Sequence, residues 1–492
     1  MFQEAETPAK TKNSRKFRRI SKSEEFSEWY NHFLSYAGIV DTRYPLKGCD
    51  VWQPYGFKAL KLMMRIMEQL LDATGHEEAY FPMFVPASVF AMEADFLAGF
   101  TGEVLQVTKT GSRTLEETLI VRPTSETIIY YMFAKWISSY RDLPIKLYQT
   151  VNIFRWETKM TKPLLRVREV VKFKEAHTVH TTAEEADVQV QEGLEIYQRF
   201  FDILRVPYIV LRTPEWDTFA GALYNYDVFT VMPDGKALEL GSVINLGQKF
   251  AKAFGITFWD QNEAERYPYQ TCYGISERSL GALLSVHGDD KGFILPPNIA
   301  PIQLVIVPIF RTEDEAEAIK KFLMRVEPYL KEFRFMTDWS ERTPGWKFNH
   351  WEAMGVPIRL EIGPREVNSE KIVLAQRDTQ EKIVVSPEDL VSKISSMLEA
   401  ITSELAIRAQ EWFQNQLWEA TTIEEAVSLY SDRKGIVKLP WCGKGECGQT
   451  IEERLVGSAL GHKPEDDSSA AQKSCVHCQN PAKHLLHFGR TY

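Results

Sequence analysis

The sequence predicts an α+β protein of several domains, in which an antiparallel sheet with flanking helices precedes a small α/β domain and a cysteine-bearing α+β domain. Three observations predict this. The chain has 492 residues, 44% of them apolar, which is too long for one ordinary core and apolar enough to fill two to four. The order of elements changes near Leu295-Pro-Pro, from helices mixed with β-rich runs to an alternation of strand and helix. Four of the six cysteines crowd the segment 442–492.

Residues 1–23 are polar and lack apolar periodicity, and are expected to form a disordered tail. The first domain, 24–297, combines an amphipathic helix over 56–74 with β-rich runs at 118–121 and 145–154. The second, 298–400, reads as strand 302–309, helix 313–325, strand 333–337, helix 345–354, and strands 358–362 and 371–375. A helical stretch from about 386 then leads past Trp412 and Trp418 into the last domain, 401–492. There Cys442 and Cys447 form C-x4-C among the turn-forming Gly443, Gly445 and Gly448, and Cys475 and Cys478 form C-x2-C. Four thiolates can close a tetrahedral site with no open position, which points to structural Zn2+ rather than a catalytic Lewis acid. His477 is an alternative fourth ligand, and four unrelated thiols are the plain alternative to a site.

Several function classes are disfavoured. No apolar run approaches the roughly 20 residues of a bilayer span; the longest, 299–310, is broken by Pro301 and Pro308. The polar, basic N-terminus lacks the apolar stretch of a secretory signal, so a cytoplasmic location with no membrane association is expected. No G-x-G-x-x-G or G-x4-G-K-[ST] loop is present, so a nucleotide would need another cradle. The net charge of −9 argues against a nucleic-acid partner, but a basic stretch holds Lys146, Arg155, Lys159, Lys162, Arg166, Arg168 and Lys172. Such a run is ordinarily a solvated face; here the surrounding motifs argue otherwise.

Three stretches carry the chemistry. The first is Val121-Arg-Pro-Thr-Ser-Glu-Thr-Ile with Val151-Asn-Ile-Phe-Arg-Trp-Glu and Leu164-Leu-Arg-Val-Arg-Glu downstream. The second is Gly274-Ile-Ser-Glu-Arg, which opens an apolar helix, and the third is Tyr80-Phe-Pro-Met-Phe-Val-Pro after the long amphipathic helix. An Arg-x-Glu on a strand is by itself usually a surface cross-pair. Together, the trio resembles motifs 1, 2 and 3 of the class II aminoacyl-tRNA synthetases. Within that class the chain resembles the prolyl-tRNA synthetase family, through Arg122-Pro-Thr-Ser-Glu, Lys135-Trp-Ile-Ser-Ser-Tyr-Arg-Asp-Leu-Pro, Glu175-Ala-His-Thr-Val-His, Leu246-Gly-Gln-Lys-Phe-Ala-Lys-Ala-Phe, Val286-His-Gly-Asp-Asp-Lys-Gly and Gly355-Val-Pro-Ile-Arg-Leu-Glu-Ile-Gly-Pro-Arg. The short stretch between Arg155 and Arg278 has no room for the large editing insertion of bacterial-type relatives, so the archaeal and eukaryotic type is the better match, with methanogen-like wording at Phe26-Ser-Glu-Trp-Tyr-Asn.

The resemblance implies a class II antiparallel sheet with flanking helices, an α/β anticodon-binding domain and a C-terminal zinc-binding α+β domain. It implies a ligase that joins L-proline to tRNA(Pro) at the expense of ATP with Mg2+, and a homodimer formed through motif 1. Arg155 and Arg278 would be catalytic, on the α- and γ-phosphates. Glu157, Arg166, Glu239 and Ser242 would complete the ATP site, Glu157 on the adenine side and Glu239 near Mg2+. Thr124, Glu126, Arg155, Phe173, Glu175 and His177 would surround proline, Glu126 facing the ring NH2+ and Phe173 walling the pyrrolidine; His177 is alternatively a satisfied core histidine. Glu361, Arg365, Arg377 and Asp378 would read the anticodon, or else be surface ion pairs. The metal ligands would be Cys442, Cys447, Cys475 and Cys478. Two positions depart from the pattern: Ile244 replaces a pocket histidine, and Glu277 stands beside Arg278, where it could pair with that arginine or shift its phosphate contact. The alternatives are a catalytically silent tRNA-binding synthetase paralogue, and an enzyme of the same fold that activates another amino acid.

Overall fold

The computed structural model describes residues 19–92, 102–158, 160–432 and 435–492. Residues 1–18 of the expected tail, and Lys159 of the basic stretch, lie outside the described residues. The remainder of the expected tail is packed down: Ile20 is buried, and Lys22 Nζ donates to the carbonyls of Val286 and Gly288 at 3.0 and 2.6 Å. Apolar Ile20 and the half-buried lysine stem give residues 19–23 the contacts that hold them against the first domain.

One sheet of eleven strands runs through both the first and the last parts of the chain. Its centre is antiparallel, in the order Ile209–Arg212, Tyr224–Val231, Ala237–Gly247, Tyr269–Ile275, Glu169–His180 and Ile145–Phe154. Beyond Ile209–Arg212 the sheet continues into Ser458–His462, His484–Gly489, Ile436–Trp441 and Leu417–Glu419, the junction being the pair His462–Arg212. The C-terminal segment therefore extends the same sheet. Trp216 reinforces the seam: a Cβ at Gly448 would meet its ring at 2.2 Å, so glycine is required there.

The helix Ala183–Leu204 covers the centre of the sheet. Thr182 caps it by accepting from the Glu185 amide at 3.1 Å, and Glu184 and Glu185 favour the positive end of its dipole. Ala186, Val190, Leu194, Tyr197, Phe201 and Leu204 recur at helical spacing on its buried face. Gly193 allows close approach, since a Cβ there would lie 3.0 Å from Val243 Cγ1. The helix Pro54–Asp72, the expected amphipathic one, begins with proline at its first turn and buries Leu60, Met64, Met67 and Leu71.

The α/β unit has a five-stranded sheet in the order Phe335–Thr337, Leu304–Pro308, Ile358–Ile362, Ile372–Gln376, Lys382–Val385. Its first three strands are parallel and the rest antiparallel. The helix Leu390–Gln414 runs across residue 400, where a domain boundary was expected. Two expected anticodon contacts are committed elsewhere. The side chain of Arg377 is 1% exposed, grips Asp289 of the first domain with both terminal nitrogens at 2.7 and 2.8 Å, and donates through Nε to the Glu352 carbonyl at 2.7 Å. It clamps two domains, with three of its N–H groups engaged. Glu361 is held by Arg359 at 2.9 Å and Lys382 at 2.8 Å. Arg365 is exposed, and Asp378 accepts from Gln376 at 2.9 Å.

Asp289→Ala strands a buried guanidinium, whereas Arg377→Met leaves a carboxylate that water can reach. Urea unfolding is expected to show Asp289→Ala as the more destabilising change, by about 3 kcal/mol, and Arg377→Lys is expected not to restore the two-pronged contact.

Candidate active site

The central strands place alternate side chains on one face, and three consecutive outward positions of Glu169–His180 are Phe173, Glu175 and His177. Strand register sets these residues in rows: Ser242, Gly274, Glu175 and Gln149 in one, and Ile244, Cys272, His177 and Leu147 in the next. Small residues open a hollow between them. A Cβ at Gly274 would sit 2.7 Å from the Phe173 ring, and one at Gly241 would sit 2.7 Å from the Gly274 carbonyl. The result is a cavity of about 230 Å³. Thr124 and Glu126 enter it from the loop that starts the helix Glu126–Trp136, and Arg155 from the end of Ile145–Phe154. Glu239 and Ser242 come from Ala237–Gly247, and Arg278 from the first residue of the helix Arg278–His287.

One end of this cavity is acidic. Glu175 is buried, which disfavours its charge, but bonds from His177, Ser125 and Gln149 outweigh burial and hold it below the ordinary carboxylate range. Ser125 Oγ and Gln149 Nε2 both donate to Glu175 Oε1, and His177 Nε2 lies 3.4 Å from Oε2. His177 is fixed from its other side by the Tyr130 hydroxyl at 3.0 Å from Nδ1. Burial and the charge of Glu175 push Glu126 the other way, upward, despite His177 nearby and a bond from the Thr124 hydroxyl. A second carboxylate in this position is stabilised by an incoming cation.

The other end is cationic. Arg155 donates through Nε to the Pro123 carbonyl at 3.0 Å. Burial works against its charge, Glu126 supports it, and the neighbouring Arg278 opposes it. Two guanidinium groups held near enough to repel make a seat for an anion. Arg278 is oriented by the carbonyls of Leu165 and Glu239 at 3.1 and 3.0 Å. Glu239, half exposed, accepts from Ser242 Oγ at 3.3 Å.

All six residues expected around the amino acid line this cavity, as do Arg155, Glu239, Ser242 and Arg278 from the expected nucleotide set. Glu157 and Arg166 do not line it; they pair with each other at 3.5 Å, and Arg166 also donates to the carbonyl of Tyr492. Glu277 is buried, and its carboxylate accepts the amides of Val171 and Lys172 at 3.0 and 3.4 Å, tying the helix start to the neighbouring strand. Sequence reasoning missed Phe219, Cys272 and Ser276 in the lining and the donors Ser125 and Gln149 behind it. Ser125 lies inside a quoted motif; Gln149 carried only the signal of strand alternation.

The four cysteines converge, with Sγ of Cys442 and Cys478 3.6 Å apart and all four ligand atoms within 4.8 Å of one another. Gly443, at φ +85°, makes the turn of the first pair. His477 is exposed and does not join them. All-sulfur, closed and largely buried, the set suits a structural zinc ion.

Three families of domain match: the tRNA synthetase class II core domain (G, H, P, S and T) over residues 107–287, the anticodon binding domain over 303–397 and the prolyl-tRNA synthetase C-terminal domain over 423–492. The proline–tRNA ligase of Pyrococcus abyssi is 45% identical over 474 residues, 96% of this chain and 98% of its own. That of Metallosphaera sedula is 45% identical over 484 residues, covering 97% of this chain and all of its own. Among solved structures, Giardia lamblia prolyl-tRNA synthetase in complex with prolyl-adenylate superposes with a TM-score of 0.92 at 33% identity, over 96% of this chain and 100% of that one. Cryptosporidium parvum prolyl-tRNA synthetase complexed with L-proline and AMP gives 0.90 at 32% identity, over 96% of both chains.

Burial raises the Glu277 carboxyl from 4.5 to about 7, so the folded state binds more protons than the unfolded one between these values and stability falls as pH rises through that window. Glu277→Gln cannot ionise. Its melting temperature relative to the parent is expected to rise with pH from about 4.5 to 7 and then level off, a gain of at most on the order of 3 kcal/mol.

Proposed function

Because the chain belongs to the prolyl-tRNA synthetase family, we propose that it activates proline with ATP and passes the prolyl group to the 3′ end of tRNA(Pro) through the cavity between Glu126 and Arg278. The observation that carries this reading is the polarity of that cavity, acidic at one end and doubly cationic at the other. A zwitterionic imino acid fits it in one direction only. The ring NH2+ faces Glu126 and Glu175, with Thr124 and His177 beside them, Phe173 walls the pyrrolidine, and the carboxylate faces Arg155.

A proline carboxylate oxygen attacks the α-phosphorus; the bond from that phosphorus to the bridging oxygen breaks, and pyrophosphate leaves. Arg155 meets the charge developing on the α-phosphate and Arg278 holds the γ-phosphate, both pre-oriented by backbone carbonyls so that little reorganisation is needed. Glu157 and Arg166, paired with each other outside the cavity lining, flank the adenine side. Glu239 with the Ser242 hydroxyl offers hard oxygen donors for Mg2+, which when bound would neutralise phosphate charge. In the second step the terminal ribose hydroxyl attacks the prolyl carbonyl carbon, AMP leaves, and a phosphate oxygen of the adenylate takes the proton.

The anticodon contacts we propose are Arg365 and Asp378; the partly exposed Trp339 and Trp346 lie on the same domain, Trp346 stacked on His350. A homodimer through motif 1 is supported by the exposed apolar side chains of Val51, Tyr80 and Phe84. No helix among the described residues is long and apolar enough to cross a membrane. We place the reaction in the cytosol, where a four-thiolate zinc cluster stays reduced. Arg155, Arg278 and Glu126 in one cavity favour an active enzyme over a silent paralogue.

ATP–pyrophosphate exchange measured with each of the twenty amino acids is expected to run with proline well ahead of alanine and cysteine, and to fall by about 10²–10³-fold in Arg155→Ala. Faster exchange with another amino acid would assign the Ile244 pocket to that substrate, and no exchange would favour the silent paralogue. Elemental analysis is expected to find zinc in the purified protein and less of it in Cys447→Ser, with a lower melting temperature.

A further inference from the structure

A second group of metal-type ligands stands at the seam where the C-terminal strands join the catalytic sheet. His462 ends the strand Ser458–His462 and is the residue paired with Arg212 across the seam; His484 begins His484–Gly489; Asp467 opens the short helix Asp467–Ala470. These three side chains are brought together from separate turns of the chain. The imidazole rings lie 4.1 Å apart between centroids, Asp467 Oδ1 is 2.8 Å from His484 Nδ1, and one ligand atom from each of the three lies within 4.8 Å of the others.

Two further observations point to a ligand here. His462 is 9% exposed, and its Nδ1 is buried without a hydrogen-bond partner, which is costly for an imidazole held in a protein interior. The three residues also line a cavity of about 360 Å³, together with Thr213, Glu215 and Trp216, so a bound ion would keep room for further ligands. Arg212, also in the cavity lining, lies over the Tyr224 ring at 4.8 Å.

We propose that His462, His484 and Asp467 form a second divalent metal site, distinct from the four-cysteine cluster. Two imidazole nitrogens and one carboxylate oxygen are the ligands of a borderline transition ion such as Zn2+ or Co2+, not of Mg2+ or Ca2+, which prefer all-oxygen sets. The ion would take the place of the proton shared by Asp467 and His484, and would pin both C-terminal strands to the helix at Asp467. Its effect falls on the seam between domains rather than on the reacting atoms.

The test is Co2+ titration of the full-length protein, read by visible absorption and by metal content after desalting. Cobalt in the cysteine cluster gives sulfur-to-metal charge transfer, whereas cobalt held by nitrogen and oxygen does not. The zinc held by the cysteine cluster is not expected to exchange, so the parent is expected to retain one cobalt ion besides that zinc, without sulfur-to-metal bands, and His484→Ala and Asp467→Asn to retain the zinc alone. Asp467→Asn keeps side-chain shape, so its folding guards against a trivial loss in the histidine variant. A parent that retains only the thiolate-bound ion, or variants at His484 and Asp467 that retain both, would overturn the proposal.

Discussion

Two carboxylates buried against one small cavity cannot both ionise unless something meets their charge, and this chain directs most of its donors to one of them. Ser125, Gln149 and His177 all turn toward Glu175, which takes the charge; Glu126, beside it, is left with Thr124 and a raised affinity for a proton. The half of the pair with fewer donors is what makes the acidic end a seat for a cationic nitrogen. At the other end Arg155 and Arg278 are oriented by carbonyls and oppose one another's charge, with Glu239 3.9 Å from Arg278 as a partial counter-charge.

Those charges are useful only if their carriers hold still, and much of the remaining structure serves that end. Gln149, Glu175, Gly274 and Ser242 lie side by side across four strands, so register alone fixes their spacing. The donor behind Glu175 is itself held: Gln149 accepts the Phe81 amide at 3.0 Å. Glu277 anchors the helix that presents Arg278. Farther out, the Arg377–Asp289 clamp and the His462–Arg212 strand pair join the other two parts of the chain to the body that carries the site.

What the sequence disclosed follows from how local each feature is. Phe173, Glu175 and His177 share a face because strand alternation requires it, and the helices 54–72 and 313–326 follow from their apolar spacing. Where a side chain points is set by distant contacts, and there the reading failed. Arg377 and Glu277 look like free charges in the sequence, yet each is consumed by a partner far along the chain, Asp289 in one case and the amides of Val171 and Lys172 in the other. The continuation of the catalytic sheet into the last domain was likewise hidden, because it rests on pairing between residues 212 and 462. Ile244 was legible as a departure, but its neighbour Cys272, which gives that part of the wall its apolar character, was not.

The central claim is that Glu126 waits for a cation, and proton release on proline binding tests it most directly. Burial and the neighbouring Glu175 raise the proton affinity of Glu126 in the empty site, and the arriving ring NH2+ would lower it. Calorimetric titration with proline in mildly acidic buffers of different ionisation enthalpy should therefore report net proton release, and Glu126→Gln should abolish that release and bind proline more weakly. Proline binding without proton exchange, or a Glu126→Gln variant with unchanged affinity, would contradict the account.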